Sequence, residues 1–310
     1  MLPSLLISAF IITQVVPPAF LIKPLTLDFA NADQPTIAIA EEYPSHIYPG
    51  KKPQKISPSL GIDTTGASAV VFDPIGGQQL FRKNPNTVRS IASLTKLMTV
   101  LVFLDHNPGF GQEVEITEAD QIAEGSIGLE VGDKVIVRDL FYASLVNSAN
   151  NATQALARST GMSREVFVAA MNQRAKDMGL SNTHFVDVTG LDPGNVSTAS
   201  EVARMADFAF RNAEISQATT LPNHEFTTLN TNRTIRFNNT NKLLESFLHL
   251  SGGKTGYTEE AGYCLAIRTD DGQGHDIVVV DLGTAGPDER FQEVKGLISW
   301  TFENWRWPAD

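Results

Sequence analysis

Ser93 and Lys96 place a hydroxyl and an amine three positions apart at the head of the apolar run Leu94 to Leu104. On a helix, such positions share a face, one turn apart. A lysine held in so dry a setting loses affinity for its proton, because burial disfavours the charged form. A neutral amine beside a serine hydroxyl is a base that turns the oxygen into a nucleophile, here without a histidine. Taken alone, Ser-x-x-Lys has a plainer reading, a helix N-cap followed by a surface lysine. Ser148-Ala149-Asn150 and Lys254-Thr255-Gly256 follow it along the chain. Singly, the first reads as a cap in a loop between helices and the second as a turn.

The elements that must position these residues fall into three blocks. Ser68 to Asp73 and Gln78 to Lys83 read as strands joined by a turn at Pro74 to Gly77. A helical region follows to about Asn212. It includes a short apolar helix from Leu140 to Val146, a striped helix from Ser163 to Met178 that stops at Gly179, and a helix whose start is marked by a capping box between Thr198 and Glu201. His224 to Leu229 and Thr234 to Asn238 suggest a hairpin. Strands return at Tyr263 to Thr269 and Asp276 to Leu282, and a last helix runs from about Pro287 to Trp305. Two separated sets of strands bury their faces only if they meet in one sheet. The fold class is therefore α+β, a mixed sheet domain (61–90 and 245–310) carrying an inserted helical subdomain (91–244).

Ser-x-x-Lys, Ser-x-Asn and Lys-Thr-Gly, in that order, mark the serine β-lactamases and penicillin-binding proteins. From about Ala67 to Trp305 the sequence resembles the D-alanyl-D-alanine carboxypeptidases, the low-molecular-mass penicillin-binding proteins of the S11 type. The resemblance is carried by Ala92-Ser-Leu-Thr-Lys-Leu-Met-Thr99, Leu145-Val-Asn-Ser-Ala-Asn-Asn-Ala152, Asn182-Thr-His-Phe185 and Gly253-Lys-Thr-Gly-Tyr-Thr-Glu-Glu-Ala-Gly-Tyr263. It implies a β-lactamase/transpeptidase-like fold with the active site in the cleft between the two subdomains. It also implies a serine DD-peptidase that removes the terminal D-alanine from peptidoglycan stem peptides and is acylated by penicillins.

The roles that come with the resemblance are these. Ser93 attacks the carbonyl of the penultimate D-alanine, and Lys96 is its base, its proton affinity lowered by desolvation and by the like charge of Lys254. Ser148 relays a proton to the departing amine, while Asn150 binds the substrate amide and holds Lys96. Lys254 and Thr255 take the terminal carboxylate, and Gly256 admits a close backbone approach. The backbone N–H groups of Ser93 and Tyr257 form the oxyanion hole, with the Tyr257 ring as a pocket wall. Arg290 matches an arginine near the carboxylate pocket, although among Asp288, Glu289 and Glu293 it also reads as a solvated ion-pair partner. Asn151 departs from the aspartate common after Ser-x-Asn in relatives, at a position read as structural.

Composition bounds the setting. A chain of 310 residues that is 42% hydrophobic can bury one large core or two modest ones, and a net charge of −11 without a basic cluster excludes nucleic acid as a partner. Met1 to Ile22 carries no charged side chain, so residues 1–32 read as a signal peptide or membrane anchor, with an extracytoplasmic location. Residues 33–60, with Pro35, Pro44, Pro49, Pro53 and Pro58, read as an extended linker. The lone Cys264 lies in an apolar run and reads as core filler. The six histidines show no ligand spacing, so no metal and no cofactor is expected.

Other readings were weighed. Gly252-Gly-Lys-Thr255 looks like a nucleotide-binding loop, but that motif needs a glycine where Leu248 stands. A β-lactamase needs a deacylating glutamate in a Glu-x-x-Leu-Asn segment, and the stretch after Ser181 has none, which predicts slow deacylation. A DD-endopeptidase, cutting peptidoglycan crosslinks with the same residues, stays open. A wall-binding protein without activity conflicts with the intact set Ser93, Lys96, Ser148, Asn150 and Lys254.

Overall fold

The computed structural model describes residues 50–308. The expected leader at 1–32 and the first part of the linker lie outside the described residues. The linker's last stretch is tied down: Gln54–Lys55 pairs antiparallel with Trp305–Arg306, Ile56 N–H donates to the Asn304 carbonyl at 2.9 Å, and Trp300 Nε1 donates to Ser59 at 2.8 Å. Residues 50–60 thus pack on the body, because strand pairing satisfies backbone groups that a free tether would leave to water.

Five strands form one sheet: β1 (Ser68–Asp73), β2 (Gln78–Lys83), β3 (His249–Thr258), β4 (Gly262–Asp270) and β5 (Asp276–Thr284), in the spatial order β3-β4-β5-β1-β2. The expected mixed sheet is in fact antiparallel at every pairing. The cause is connectivity, since short turns join β1 to β2, β3 to β4 and β4 to β5, and short turns reverse direction. Both faces are covered. Along β1, Val70 and Phe72 face the helical cluster while Ala69 and Val71 face the opposite layer. That second layer is α7 (Glu289–Asn304), packed through Phe291, Val294, Leu297 and Ile298. Two-sided burial is why the central strands read as continuous apolar runs without alternation.

The helical subdomain holds α1 (Thr95–Asp105), α2 (Val137–Val146), α3 (Asn150–Ser159), α4 (Arg164–Asp177), α5 (Ala199–Phe210) and α6 (Ala213–Thr220), with a hairpin of Asn223–Thr227 and Thr234–Asn238. The expected capping box of α5 forms in part, Thr198 accepting from the Glu201 N–H at 3.1 Å. α1 is the central helix, buried from Thr95 through Phe103. Burying each large side chain there contributes about 1.5–3 kcal/mol relative to exposure, so the helix that carries Lys96 is fixed on all sides. Cys264 is buried, and desolvation pushes its thiol up to about 11, as filler requires.

Candidate active site

A single 3-10 turn, Ala92–Leu94, precedes α1 and presents Ser93 at the start of the helix. Ala92 takes φ +47°, a left-handed conformation that costs a residue with a side chain roughly 1–3 kcal/mol. Lys96 follows one turn later with no exposed surface. Its Nζ lies 2.8 Å from Ser93 Oγ, 2.6 Å from Asn150 Oδ1 and 2.7 Å from the Thr189 carbonyl oxygen. Desolvation lowers its pKa to about 7, opposed by the negative charge of Asp187. The expected second cause, Lys254, is felt in the other direction: Lys254 is the lysine pushed down by its neighbours.

The three partners of Lys96 differ in what they can do. An amide oxygen and a peptide carbonyl only accept, so a neutral amine gives its two protons to Asn150 and Thr189. Its lone pair is left for the one partner that has a proton to donate, the Ser93 hydroxyl. The geometry therefore aims the amine lone pair at the Ser93 hydroxyl.

Ser148 lies between α2 and α3 with φ +64°. It does not cap α3, whose preceding residue is Ala149. Its hydroxyl instead accepts from Lys254 Nζ at 2.7 Å. Asn150 opens α3, and its Nδ2 donates to the Glu124 carbonyl at 2.8 Å while its N–H donates to the Gly125 carbonyl at 2.7 Å. Those bonds orient the amide so that its oxygen faces Lys96. Asn151 pairs with the backbone of Ile127 through both ends of its amide, a structural task.

Lys254, Thr255 and Gly256 sit in β3, a strand where the sequence suggested a turn. β3 is an edge of the sheet, paired only with β4 among the strands of that sheet, and it runs past the Ser93 turn. Lys254 is buried and held well below its ordinary pKa by desolvation first, then by the charges of Lys96 and Arg290. The Thr255 hydroxyl is 2.6 Å from that of Thr240. A Cβ on Gly256 would stand 3.1 Å from the Ser93 backbone nitrogen, which measures how closely the strand approaches the nucleophile.

Tyr257 is half exposed and stacks on Tyr263, ring centroids 4.3 Å apart. Arg290, at the start of α7, is not a solvated ion-pair partner. It donates from Nη1 to the Gly256 carbonyl at 3.0 Å and lies over the Tyr263 ring, while Asp288 pairs with Lys242. Its guanidinium, its pKa lowered by desolvation, braces β3 from behind and adds positive charge next to Lys254.

The structure adds residues that no motif marked. Thr240 meets Thr255, and the loop from Asp187 to Asp192 brings Thr189 to Lys96 and Gly190 to the Ser93 turn. Asp187 opens this loop, and both its oxygens are taken by the loop's own donors. A helix-bounded Asp-x-Thr-Gly turn was the available signal, since aspartate commonly binds backbone N–H groups two or three residues on.

Comparison with known proteins gives a consistent set. The model of a family described as D-alanyl-D-alanine carboxypeptidase matches residues 53–285. A D-alanyl-D-alanine endopeptidase of Pseudomonas aeruginosa is 33% identical over 251 residues, covering 80% of this chain and 81% of that one. The D-alanyl-D-alanine carboxypeptidase DacF of Bacillus subtilis is 33% identical over 244 residues, covering 77% of this chain and 62% of that one. Among solved structures, the Streptomyces K15 DD-transpeptidase superposes with a TM-score of 0.73 at 28% identity, covering 79% of this chain and all of the other.

Proposed function

The chain belongs to the D-alanyl-D-alanine carboxypeptidase family of serine peptidases, and on that footing we propose that it removes the terminal D-alanine from peptidoglycan stem peptides through an acyl-enzyme on Ser93. The observation that carries this reading is the Lys96 amine, buried and bonded to three oxygens of which only Ser93's bears a proton. Lys96 takes the Ser93 proton as the oxygen attacks the carbonyl of the penultimate residue. The N–H groups of Ser93 and Tyr257 stabilise the oxyanion, Ser148 passes a proton to the departing amine, and Lys254 and Thr255 hold the terminal carboxylate. The free edge of β3 offers backbone groups to an extended peptide, which would lie along it as an added strand. Water then releases the shortened peptide. A substrate in the cell wall puts the working enzyme outside the cytoplasmic membrane, secreted or anchored through its N-terminal segment; among the described residues no helix is long and apolar enough to span a membrane.

Penicillins imitate the substrate and meet the same serine. In a β-lactamase a carboxylate directs water at the acyl-enzyme, whereas here Asp187 is occupied by the N–H groups of Thr189, Gly190 and Asp192. The penicilloyl-enzyme should therefore persist for many minutes, and rapid turnover of penicillin would contradict the reading.

A second reading, crosslink cleavage, has one observation in its favour. The D-alanyl-D-alanine endopeptidases of Pseudomonas aeruginosa and Escherichia coli are matched over 81% and 77% of their lengths. Incubating the protein with a pentapeptide and with a crosslinked muropeptide dimer, followed by mass spectrometry, tests both. Release of free D-alanine supports the carboxypeptidase; splitting of the dimer alone supports the endopeptidase.

A further inference from the structure

Asp187 lies outside the three motifs, and its carboxylate is buried beside the catalytic lysine. Oδ1 accepts from the N–H groups of Thr189 and Gly190, each at 2.6 Å, and from Thr189 Oγ1 at 3.1 Å. Asn195 Nδ2 reaches the same oxygen at 3.3 Å, and Oδ2 accepts from the Asp192 N–H at 2.7 Å. One side chain thereby folds the loop 187–192 into a fixed turn. The turn touches the reacting pair at two points. The Thr189 carbonyl accepts from Lys96, and Gly190, with φ +86°, is packed so tightly that a Cβ there would stand 2.0 Å from the Ala92 oxygen and 2.9 Å from the Ser93 nitrogen.

We propose that Asp187 is a positioning residue of the peptidase reaction, which holds Thr189 against Lys96 and Gly190 against the Ser93 turn and supplies the one negative charge that tunes the base. The inference rests on the reading of Lys96 as base and Ser93 as nucleophile. Asp187 is the charged group that acts on Lys96, while the charges gathered at Lys254 on β3 are positive, Lys96 itself and Arg290 from α7. From α3 the contact is the neutral Asn150 amide, itself held by the Glu124 and Gly125 carbonyls of the segment before α2. Burial alone drives Lys96 down, and Asp187 is what opposes it. An uncharged residue in its place leaves an amine that sheds its proton more readily and is a weaker base.

The test measures acylation of the full chain by a fluorescent benzylpenicillin across the pH range, for wild type, Asp187→Asn and Asp192→Asn. Asparagine can keep its oxygen at the Thr189 and Gly190 amides and give up only the bond to Asp192, so it removes the charge with little else. The acid limb of Asp187→Asn should move to lower pH by at least about half a unit, which at pH below the midpoint is a roughly threefold larger neutral fraction. Its rate at alkaline pH should fall, while Asp192→Asn keeps the wild-type midpoint. A slower Asp187→Asn with an unmoved midpoint would overturn the tuning and leave only a fold-stabilising acid. Should Asp187→Asn not fold, Asp187→Glu decides: it keeps the charge and displaces the loop, so the midpoint holds and the rate drops, and a shifted midpoint or an unchanged rate overturns the proposal. Absence of any adduct on the wild-type protein would instead refute the Ser93 and Lys96 assignment itself.

Discussion

The Ser148 hydroxyl accepts a 2.7 Å hydrogen bond from Nζ of Lys254, a residue 106 positions away on a sheet edge. This bond joins the segment between α2 and α3 to β3. It also gives Lys254 an oxygen partner inside a site where burial and two neighbouring cations work against its charge. Ser148→Ala removes one of the two oxygens that Lys254 Nζ donates to and, in the proposed mechanism, the proton relay. Its kcat/KM with a D-alanyl-D-alanine peptide should fall by about 10²–10⁴-fold, the range of a lost acid–base group. Circular dichroism and the melting temperature should stay close to wild type, because Ser148 contributes no apolar packing. Activity within tenfold of wild type would remove Ser148 from the mechanism.

With Lys96 as the proposed base, acylation depends on pH. A base acts only when unprotonated, so the second-order acylation rate should rise with pH through a midpoint at about 7, the value to which desolvation lowers Lys96. Without that burial the midpoint would lie near the ordinary 10.5. Lys96→Ala leaves the Asn150 and Thr189 oxygens without their donor but keeps the helix around them, so the protein should remain folded and lose acylation by about 10²–10⁴-fold. Stopped-flow measurement with a chromogenic β-lactam gives both quantities. A flat rate between pH 5 and 9 would be incompatible with Lys96 as the base.

Gly256 and Gly190 both abut Ser93, yet the cost of an added methyl differs. At Gly256 a Cβ would meet the Ser93 nitrogen at 3.1 Å and the Ile91 oxygen at 3.2 Å, contacts that a shift of a few tenths of an ångström relieves. Gly256→Ala should therefore fold and lose acylation by tenfold or more as β3 moves away from the nucleophile, on the scale of about 1.4 kcal/mol per tenfold. At Gly190 the Cβ would stand 2.0 Å from a backbone oxygen, in a conformation with φ +86° that side chains avoid. Gly190→Ala should lower stability by several kcal/mol as well as activity. Thermal melts of the two variants, beside their acylation rates, separate these outcomes. Equal melting temperatures would contradict the packing described for Gly190.

The same glycines show where sequence reading succeeds and where it stops. β1, β2, β4, β5 and α7 were legible because their apolar residues follow strand or helix rules. β3 was not, since Gly252, Gly253 and Gly256 are types that strands avoid. They are there because neighbours come close: a Cβ on Gly252 would lie 2.3 Å from the Phe210 ring. Ser93, Lys96, Ser148, Asn150 and Lys254 were found from short-range spacing and resemblance, and the structure brings them into two bonded groups, Ser93–Lys96–Asn150 and Ser148–Lys254. Asp187, Thr189 and Thr240 carry no motif, and Thr189 acts through a backbone carbonyl that any residue type possesses. Arg290 was named, but its bond to the Gly256 carbonyl depends on how α7 lies across the sheet, which no local pattern encodes.

Asp281 lies in β5 on the α7 side of the sheet, far in chemistry from the cleft. It has no exposed surface, and little opposes the loss of its charge, the Leu282 N–H and the Lys83 ammonium being the groups that favour the carboxylate. Desolvation, with the nearby Glu293 carboxyl second, pushes its pKa up to about 8. Glu293 is itself taken by the N–H groups of Thr65 and Gly66. A proton on Asp281, directed at Glu293, joins the two carboxyls by a hydrogen bond in place of like-charge repulsion. The sign follows from linkage: the folded state holds this proton more tightly than the unfolded chain, whose aspartate ionises near 3.8. The contribution to stability is complete at low pH, declines as pH rises from about 4 and is lost once pH passes about 8. Asp281→Asn replaces the shared proton with an amide N–H that does not titrate. It should unfold at nearly the wild-type temperature at pH 5 and several degrees higher at pH 9, as read by calorimetry at matched ionic strength. The difference between the two proteins isolates this group from Lys96 and Lys254, whose burial gives the opposite slope at alkaline pH. A difference that does not grow between pH 5 and 9 would show that Asp281 is ionised in the folded protein and finds its donors elsewhere.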